Sequence, residues 1–426
     1  MSKRRRFAVI GTGNRAAYMF VAPLIEKFSD EVEAVGLYDI NPARAEVCNE
    51  IVKSSIPIFR SAEELIRKAR PEVLLIASPD ATHAGYVIQG LKAGLDVFCE
   101  KPLCTTREQV TAIRKAARVS SGKATVTHNL RCLPSAEVLK RELRNHRIGT
   151  VRHVIFNEYL DRYHGADYFR RWHRNFKNSG GLLLQKASHH FDMVNWWVGS
   201  RAQTVTAQGG LLYYGKNGPF RGTRCSTCAH TRKCPHYADL FANPFMQKLY
   251  QRVEKVDGYL RDRCVFGNDI DITDTANLTV TFENGVKMVY SLIAYASFEG
   301  QQVALEGTQG RLEWHLKYNT GWAAGSKKGS KKASLEQSGE HSEKVEYLHP
   351  FNHEVTDLTP PALQGSHGGA DAKIWDFIFK RRPPADPLGQ RASLEEGIQA
   401  VLIGMAANQS IALGGAPVNV QTGRPV

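Results

Sequence analysis

A short apolar run, Phe7-Ala8-Val9-Ile10, breaks into Gly11-Thr12-Gly13-Asn14-Arg15-Ala16 and then into a helical pattern from Ala17 to Phe28. A strand that turns this sharply into a helix needs small residues at set places. Gly11 permits the tight turn, Gly13 lets backbone approach an anion, and the third position, here Ala16, keeps helix and strand close. The new helix offers unpaired N–H groups to that anion. A second strand, Val32 to Tyr38, ends at Asp39, whose carboxylate can accept hydrogen bonds from ribose hydroxyls and repel a 2′-phosphate. Gly11, Gly13, Asn14, Arg15 and Asp39 are therefore expected to hold a dinucleotide, NAD rather than NADP. Arg44 lies nearby and leaves NADP open.

The alternation continues. Ser61 and Glu64 read as a capping box, Val73 to Ala77 as an apolar strand, Thr82 to Gly94 as a helix, and Asp96 to Cys99 as a strand. Arg107 to Ser120 is again helical and Ala124 to Thr127 again a strand. This predicts an α/β Rossmann domain with a doubly wound parallel sheet over residues 1–128. From Asn129 the pattern changes. Alternating runs at 276–282, 286–295, 302–306 and 311–315, joined by Glu283-Asn284-Gly285 and Gly307-Thr308-Gln309-Gly310, predict hairpins. Residues 129–426 are thus expected to form an α+β domain with a largely antiparallel sheet. Gly180 to Val198 reads as one helix, opened by Gly180-Gly181. Two stretches read as insertions: a cysteine-bearing segment at about 215–268 and a Gly/Ser/Lys-rich flexible loop at about 321–343.

The charge narrows the partners. Lys and Arg number 56 against 42 Asp and Glu, a net +14. The basic residues are scattered, dense only at Lys3 to Arg6 and at 326–332, so a solvated surface or an anionic cofactor or substrate is expected, and no nucleic acid. No apolar run reaches the roughly 18 residues of a membrane span. No signal-peptide pattern follows the basic N-terminus, so the chain is expected in the cytoplasm.

Glu100-Lys101-Pro102 follows the fourth strand, at the carboxyl edge where open α/β sheets bind ligands. The Lys101 ammonium there could hydrogen-bond a substrate hydroxyl. The glycine loop, Ser78-Pro79-Asp80-Ala81-Thr82-His83, Glu100-Lys101-Pro102 and Gly180-Gly181…His189…Asp192 stand in the order and spacing of the Gfo/Idh/MocA oxidoreductases, which this chain resembles over nearly its whole length outside the two insertions. The resemblance implies hydride transfer between a nicotinamide and a sugar, glycoside or cyclitol. It places Lys101 in the active site, with Ser78, Pro79, His83 and Glu100 near the cofactor. Asn129 and Arg131 lie where relatives contact substrate or nicotinamide. It also implies that 129–426 is an α/β substrate and oligomerisation domain with a large open, mostly antiparallel sheet, in a homodimer or homotetramer.

Family members usually carry Asp four residues before the catalytic His, whereas this chain has Gln185 before His189. Glutamine cannot act as a base. His189 is the expected acid/base catalyst, with Lys186 sharing the proton work and lowering the histidine's pKa, while Lys101 stabilises the alkoxide. Residues four apart share a helix face, so Gln185 and His189 are expected to face the substrate together, and Lys186 and His190 form a second pair in which His190 either touches the substrate or packs in the core. Asp192 more naturally orients a neighbour. The basic and aromatic stretch 168–174 offers Arg171 and Trp172 to a carbohydrate ring. Asp371 could cap the helix that it precedes or let His367 reach the pocket.

Cys225-x₂-Cys228-x₅-Cys234, with Cys264 or His236, has the ligand types of a structural zinc. An iron–sulfur cluster and plain thiols are the alternatives. Two further readings of the whole chain remain at this stage. One is a glycoside-cleaving enzyme that oxidises its sugar transiently with tightly held NAD. The other is a non-catalytic nucleotide-sensing or assembly protein.

Overall fold

The computed structural model describes residues 4–318, 341–361 and 369–426. Most of the 321–343 stretch, the basic run 326–332 and His367 lie outside them. Residues 341–343 belong to a strand rather than to that loop.

The chain divides into two compact units. The first comprises Met1–Asn129, Leu240–Arg261 and Asp371–Ile398. Its sheet is built from β1 (Arg5–Ile10), β2 (Val32–Tyr38), β3 (Val73–Ile76), β4 (Asp96–Cys99) and β5 (Ala124–Val126). These are parallel in the order β5-β4-β3-β1-β2, with the short Ala392–Ser393 strand antiparallel at the β5 edge. All four residues of β3 are fully buried. That matches its unbroken apolar sequence, because a central parallel strand is covered on both faces. Ser61 caps its helix by accepting from the Glu64 N–H, but the Glu64 carboxylate reaches past it to the Arg60 N–H. The reciprocal capping box is Thr106 with Gln109.

The second unit comprises Leu130–Asp239, Asp262–Ala370 and Gln399–Val426. It holds β6 (Val151–Asp161), β7 (Ala202–Gly210), β8 (Thr275–Phe282), β9 (Lys287–Ala296), β10 (Glu299–Gly307), β11 (Gly310–Tyr318), β12 (His341–Leu348) and β13 (Val355–Asp357). With the Val418–Asn419 strand they form a nine-stranded open sheet in which β6 and β9 pair in parallel and the other neighbours are antiparallel. The cysteine-bearing stretch is therefore divided. Residues 240–261 belong to the first unit and their flanks to the second.

One expected element is not continuous. The helix read over 180–198 is two helices, Leu182–Gln185 and Ser188–Val198, joined by a turn at Lys186–Ala187. The Lys186 and Ala187 N–H groups both donate to Leu182 O, so the regular ladder is lost there. Side chains on either side of the turn do not follow one helical face.

Among the described residues, no helix is long and apolar enough to cross a membrane.

Candidate active site

In the first unit, Gly11 has φ +82°, and a Cβ there would lie 2.6 Å from Ser78 N. The turn thus needs glycine for two reasons, the left-handed backbone and the close approach. Gly11→Ala is expected to cost about 1–3 kcal/mol of stability and to weaken dinucleotide binding at least tenfold, read by denaturation and NADH titration. A helical run follows from Asn14 to Glu26, with a π-type turn over Ala17–Val21.

Asp39 lies where its strand position predicts, and its carboxylate is already well bonded. Oδ2 accepts from Thr12 N (2.8 Å) and Thr12 Oγ1 (3.1 Å), while Oδ1 accepts from Asn41 N (2.9 Å) and from Arg44 (3.1 Å). Asn14 Oδ1 is buried with no hydrogen-bond partner among the described residues. A glycine turn, an unspent buried amide oxygen and an anchored carboxylate at the β2 end fit a nicotinamide dinucleotide.

The expected residues around β3 and β4 do not all face a ligand. His83 is buried, with Nδ1 2.7 Å from Pro102 O and Nε2 2.8 Å from Ser78 O. It ties two loops together instead of presenting a ring, and burial lowers its pKa despite those carbonyls. Ser78 Oγ lies 2.7 Å from Thr82 Oγ1, and Pro79 is the N-cap of the helix Asp80–Lys92. Glu100 accepts from Arg15 Nε at 2.8 Å. Arg15 also lies 3.7 Å from Asp371, which accepts from Asn129 Nδ2 at 2.9 Å. Arg15, Glu100, Asn129 and Asp371, expected separately at cofactor and substrate, thus form one network. Lys101 stands two residues past the end of β4 and is partly exposed.

In the second unit, a polar cluster is built on β6 and β10. Along β6, Val154, Phe156, Glu158 and Leu160 share the buried face. Glu158 is the exception in that apolar series, a signal the sequence carried and the expectations above missed. Its Oε1 meets Lys186 Nζ at 3.0 Å and its Oε2 lies 3.4 Å from His190 Nε2. Glu299 on β10 accepts from Asp161 N and pairs with His164 at 2.7 Å. Burial pushes the Glu158 carboxyl up, with Lys186 opposing and Glu299 adding to the rise. Burial also acts on Glu299, but His164 and Lys186 outweigh it and hold that carboxyl low.

Two expectations change here. Lys186 is ion-paired with Glu158, the same carboxylate that His190 Nε2 approaches. Burial opposes its charge, yet Glu158 outweighs burial and raises its pKa. His190 is wholly buried; Nδ1 lies 2.9 Å from the Tyr290 hydroxyl, and the ring stacks on Phe156. It is a core residue, not a substrate contact. Arg131 is also inward. It makes a two-point ion pair with Asp192, both distances 2.7 Å, at 0% and 1% side-chain exposure. That agrees with an orienting Asp192 and removes Arg131 from the substrate surface. Gln185 and His189 flank the helix break, both largely buried. Arg171 pairs with Asp167, and the partly exposed Trp172 stacks on His173.

The four clustered cysteines line one small cavity with Arg170 and His236. Cys225 Sγ accepts from Arg170 at 3.0 Å, Cys228 Sγ from His230 N, and Cys264 Sγ from Gly222 N. His236 is turned to the Tyr213 hydroxyl at 3.0 Å, and burial with Arg170 lowers its pKa to about 4. Among the described residues, no group of three or more His, Cys, Asp or Glu is arranged to hold a metal ion. The expectation of zinc on Cys225, Cys228, Cys234 and Cys264 or His236 is therefore not met. The thiols turn to N–H and guanidinium donors.

With this geometry in hand, comparison with known proteins decides the family. Residues 5–128 match the NAD-binding Rossmann domain of the Gfo/Idh/MocA oxidoreductases, and residues 140–420 match that family's C-terminal α/β domain. This chain is a Gfo/Idh/MocA oxidoreductase. The Bacillus subtilis protein YteT, named an oxidoreductase by inference, is 32% identical over 94% of this chain and 95% of its own length. Inositol 2-dehydrogenase of Rhizobium meliloti is 27% identical over 43% of this chain and 52% of its own. Glucose-6-phosphate 3-dehydrogenase of Bacillus subtilis is 30% identical over 46% and 53%. Among solved structures, the WlbA dehydrogenase of Bordetella pertussis, in complex with NADH and UDP-GlcNAcA, shares the fold with a TM-score of 0.64. It is 16% identical and covers 98% of this chain and 99% of its own. These names do not favour the glycoside-cleaving alternative.

Proposed function

We propose that this chain is a nicotinamide-dependent dehydrogenase of a sugar, glycoside or cyclitol. The observation that carries the reading is the glycine turn beside the anchored Asp39, in a chain whose named relatives act on inositol and a sugar phosphate. A bound nicotinamide accepts or returns the hydride. The chain's own residues do the rest. Gly11 and Gly13 let the turn approach the pyrophosphate closely, and Asp39 favours the form without a 2′-phosphate. Lys101 stabilises negative charge on the substrate oxygen. His189 takes or returns the hydroxyl proton, and Gln185, Arg171 and Trp172 contact the polyol. Lys186, ion-paired with Glu158, contributes positive charge to that site. Alternate β8 and β9 residues, among them Asn277, Thr279, Lys287 and Val289, leave an exposed sheet face suited to a homodimer or homotetramer.

Native mass spectrometry of the purified protein tests the cofactor first. Nicotinamide retained in near-equal ratio to protein indicates recycling by substrate, and reversible binding of added NAD indicates an ordinary dehydrogenase. A protein that neither carries nor binds a nicotinamide would overturn the reading. Equimolar zinc in the same spectrum would restore a metal to the cysteine cavity. His189→Ala is expected to lower kcat by about 10²–10⁴ with NADH affinity unchanged. Turnover at the wild-type rate would move the acid/base role elsewhere.

A further inference from the structure

The segment Leu240–Arg261 is part of the first unit, although the sequence carries it far from the nucleotide-binding residues. It is packed in place by apolar contacts. Met246, Leu249, Tyr250 and Val253 are buried against Val47, with Ala43 and Ile51 of the helix Pro42–Ile51 beside them. Burial of several large side chains, each worth roughly 1.5–3 kcal/mol, makes this a seated element rather than a loose loop. Its polar groups fall on the nucleotide residues. The Asn14 N–H donates to the Tyr250 hydroxyl at 2.9 Å. The side-chain amide of Asn41 donates to Val253 O at 3.0 Å. Asp257 accepts from Arg44 Nη2 at 2.6 Å.

Arg44 is the residue that left the coenzyme open. An arginine near the β2 end commonly serves a 2′-phosphate, whereas the acidic residue serves the ribose 2′-hydroxyl. Here Arg44 is held at both ends, Nη1 by Asp39 at 3.1 Å and Nη2 by Asp257, and its side chain is only 8% exposed. The Tyr250 and Tyr259 rings flank its guanidinium at 5.8 and 5.9 Å. A cation neutralised by two carboxylates and walled by two rings has little left for a phosphate. The second carboxylate also adds to the repulsion of that dianion.

We propose that Asp257 is a coenzyme-specificity residue, which holds Arg44 against Asp39 and thereby selects NAD over NADP. The inference rests on the dehydrogenase reading above and adds a determinant from outside the glycine-loop motif. Without the Asp257 charge, Arg44 keeps one carboxylate partner and regains a donor edge for a 2′-phosphate.

The test is direct binding, with no turnover required. NADH and NADPH are titrated by fluorescence into the wild-type chain, Asp257→Asn, Asp257→Ser and the double variant Arg44→Gln/Asp257→Asn. Wild type is expected to bind NADH the more tightly. Either single variant should gain about tenfold or more in NADPH affinity relative to NADH. The double variant, lacking the cation, should lose that gain. Two single variants guard against one that fails to fold. Wild type preferring NADPH overturns the inference, as does an unchanged NADH:NADPH ratio in the single variants or a gain that survives loss of Arg44. Wild type binding neither dinucleotide overturns the dehydrogenase reading itself, so the two failures are distinguishable.

Discussion

Lys101→Met is expected to bind NADH within about twofold of wild type while losing turnover by roughly 10³ or more. Lys101 follows β4, at the carboxyl edge of the first unit's sheet, and is partly exposed. Its neighbour Glu100 is buried and anchored by Arg15, which also lies near Asp371. That anchor survives the substitution, so the surrounding backbone and the glycine loop should stay in place. Methionine keeps the side chain's length and apolar stem but removes its charge and donors. The loss should therefore fall on kcat, where charge develops on the substrate oxygen, and not on cofactor affinity. Stopped-flow turnover and NADH titration on the same preparation separate the two. Wild-type turnover in this variant would remove Lys101 from the chemistry.

Arg131→Ala should destabilise the chain by about 3–5 kcal/mol, because it removes the guanidinium from a fully buried two-point ion pair. Asp192 is 1% exposed and would keep neither of its two-point contacts. Removing both charges, as in Arg131→Met/Asp192→Leu, should recover most of that loss, since an apolar pair of similar volume avoids the desolvation cost. Urea denaturation read by circular dichroism measures both. A cost below about 1 kcal/mol for Arg131→Ala would return this arginine to the substrate surface where its sequence position suggested it.

The sequence was most legible where chemistry depends on neighbours along the chain. The strand–glycine–helix turn, Asp39 at the end of β2, the unbroken apolar β3 and the hairpins of the antiparallel sheet are local patterns. Backbone sterics and two-fold side-chain alternation determine them without knowledge of the rest of the fold. Glu158 was legible in principle, as the one carboxylate on an apolar face, but its meaning depends on what packs opposite.

What only the tertiary structure decided is partnership. Lys186 looked like a companion to histidine, yet a carboxylate on β6 claims it. The helix that would have aligned Gln185 with His189 breaks between them. Arg131 and His190 read as ligand contacts and prove to be core residues with protein partners. Asp257, 213 residues from Arg44 in the chain, is beside it in the fold. The reason is common to the side-chain pairings. A charged or polar side chain taken out of water must find a complementary group within about 3 Å, and which group that is depends on chain packing, to which sequence separation gives no guide.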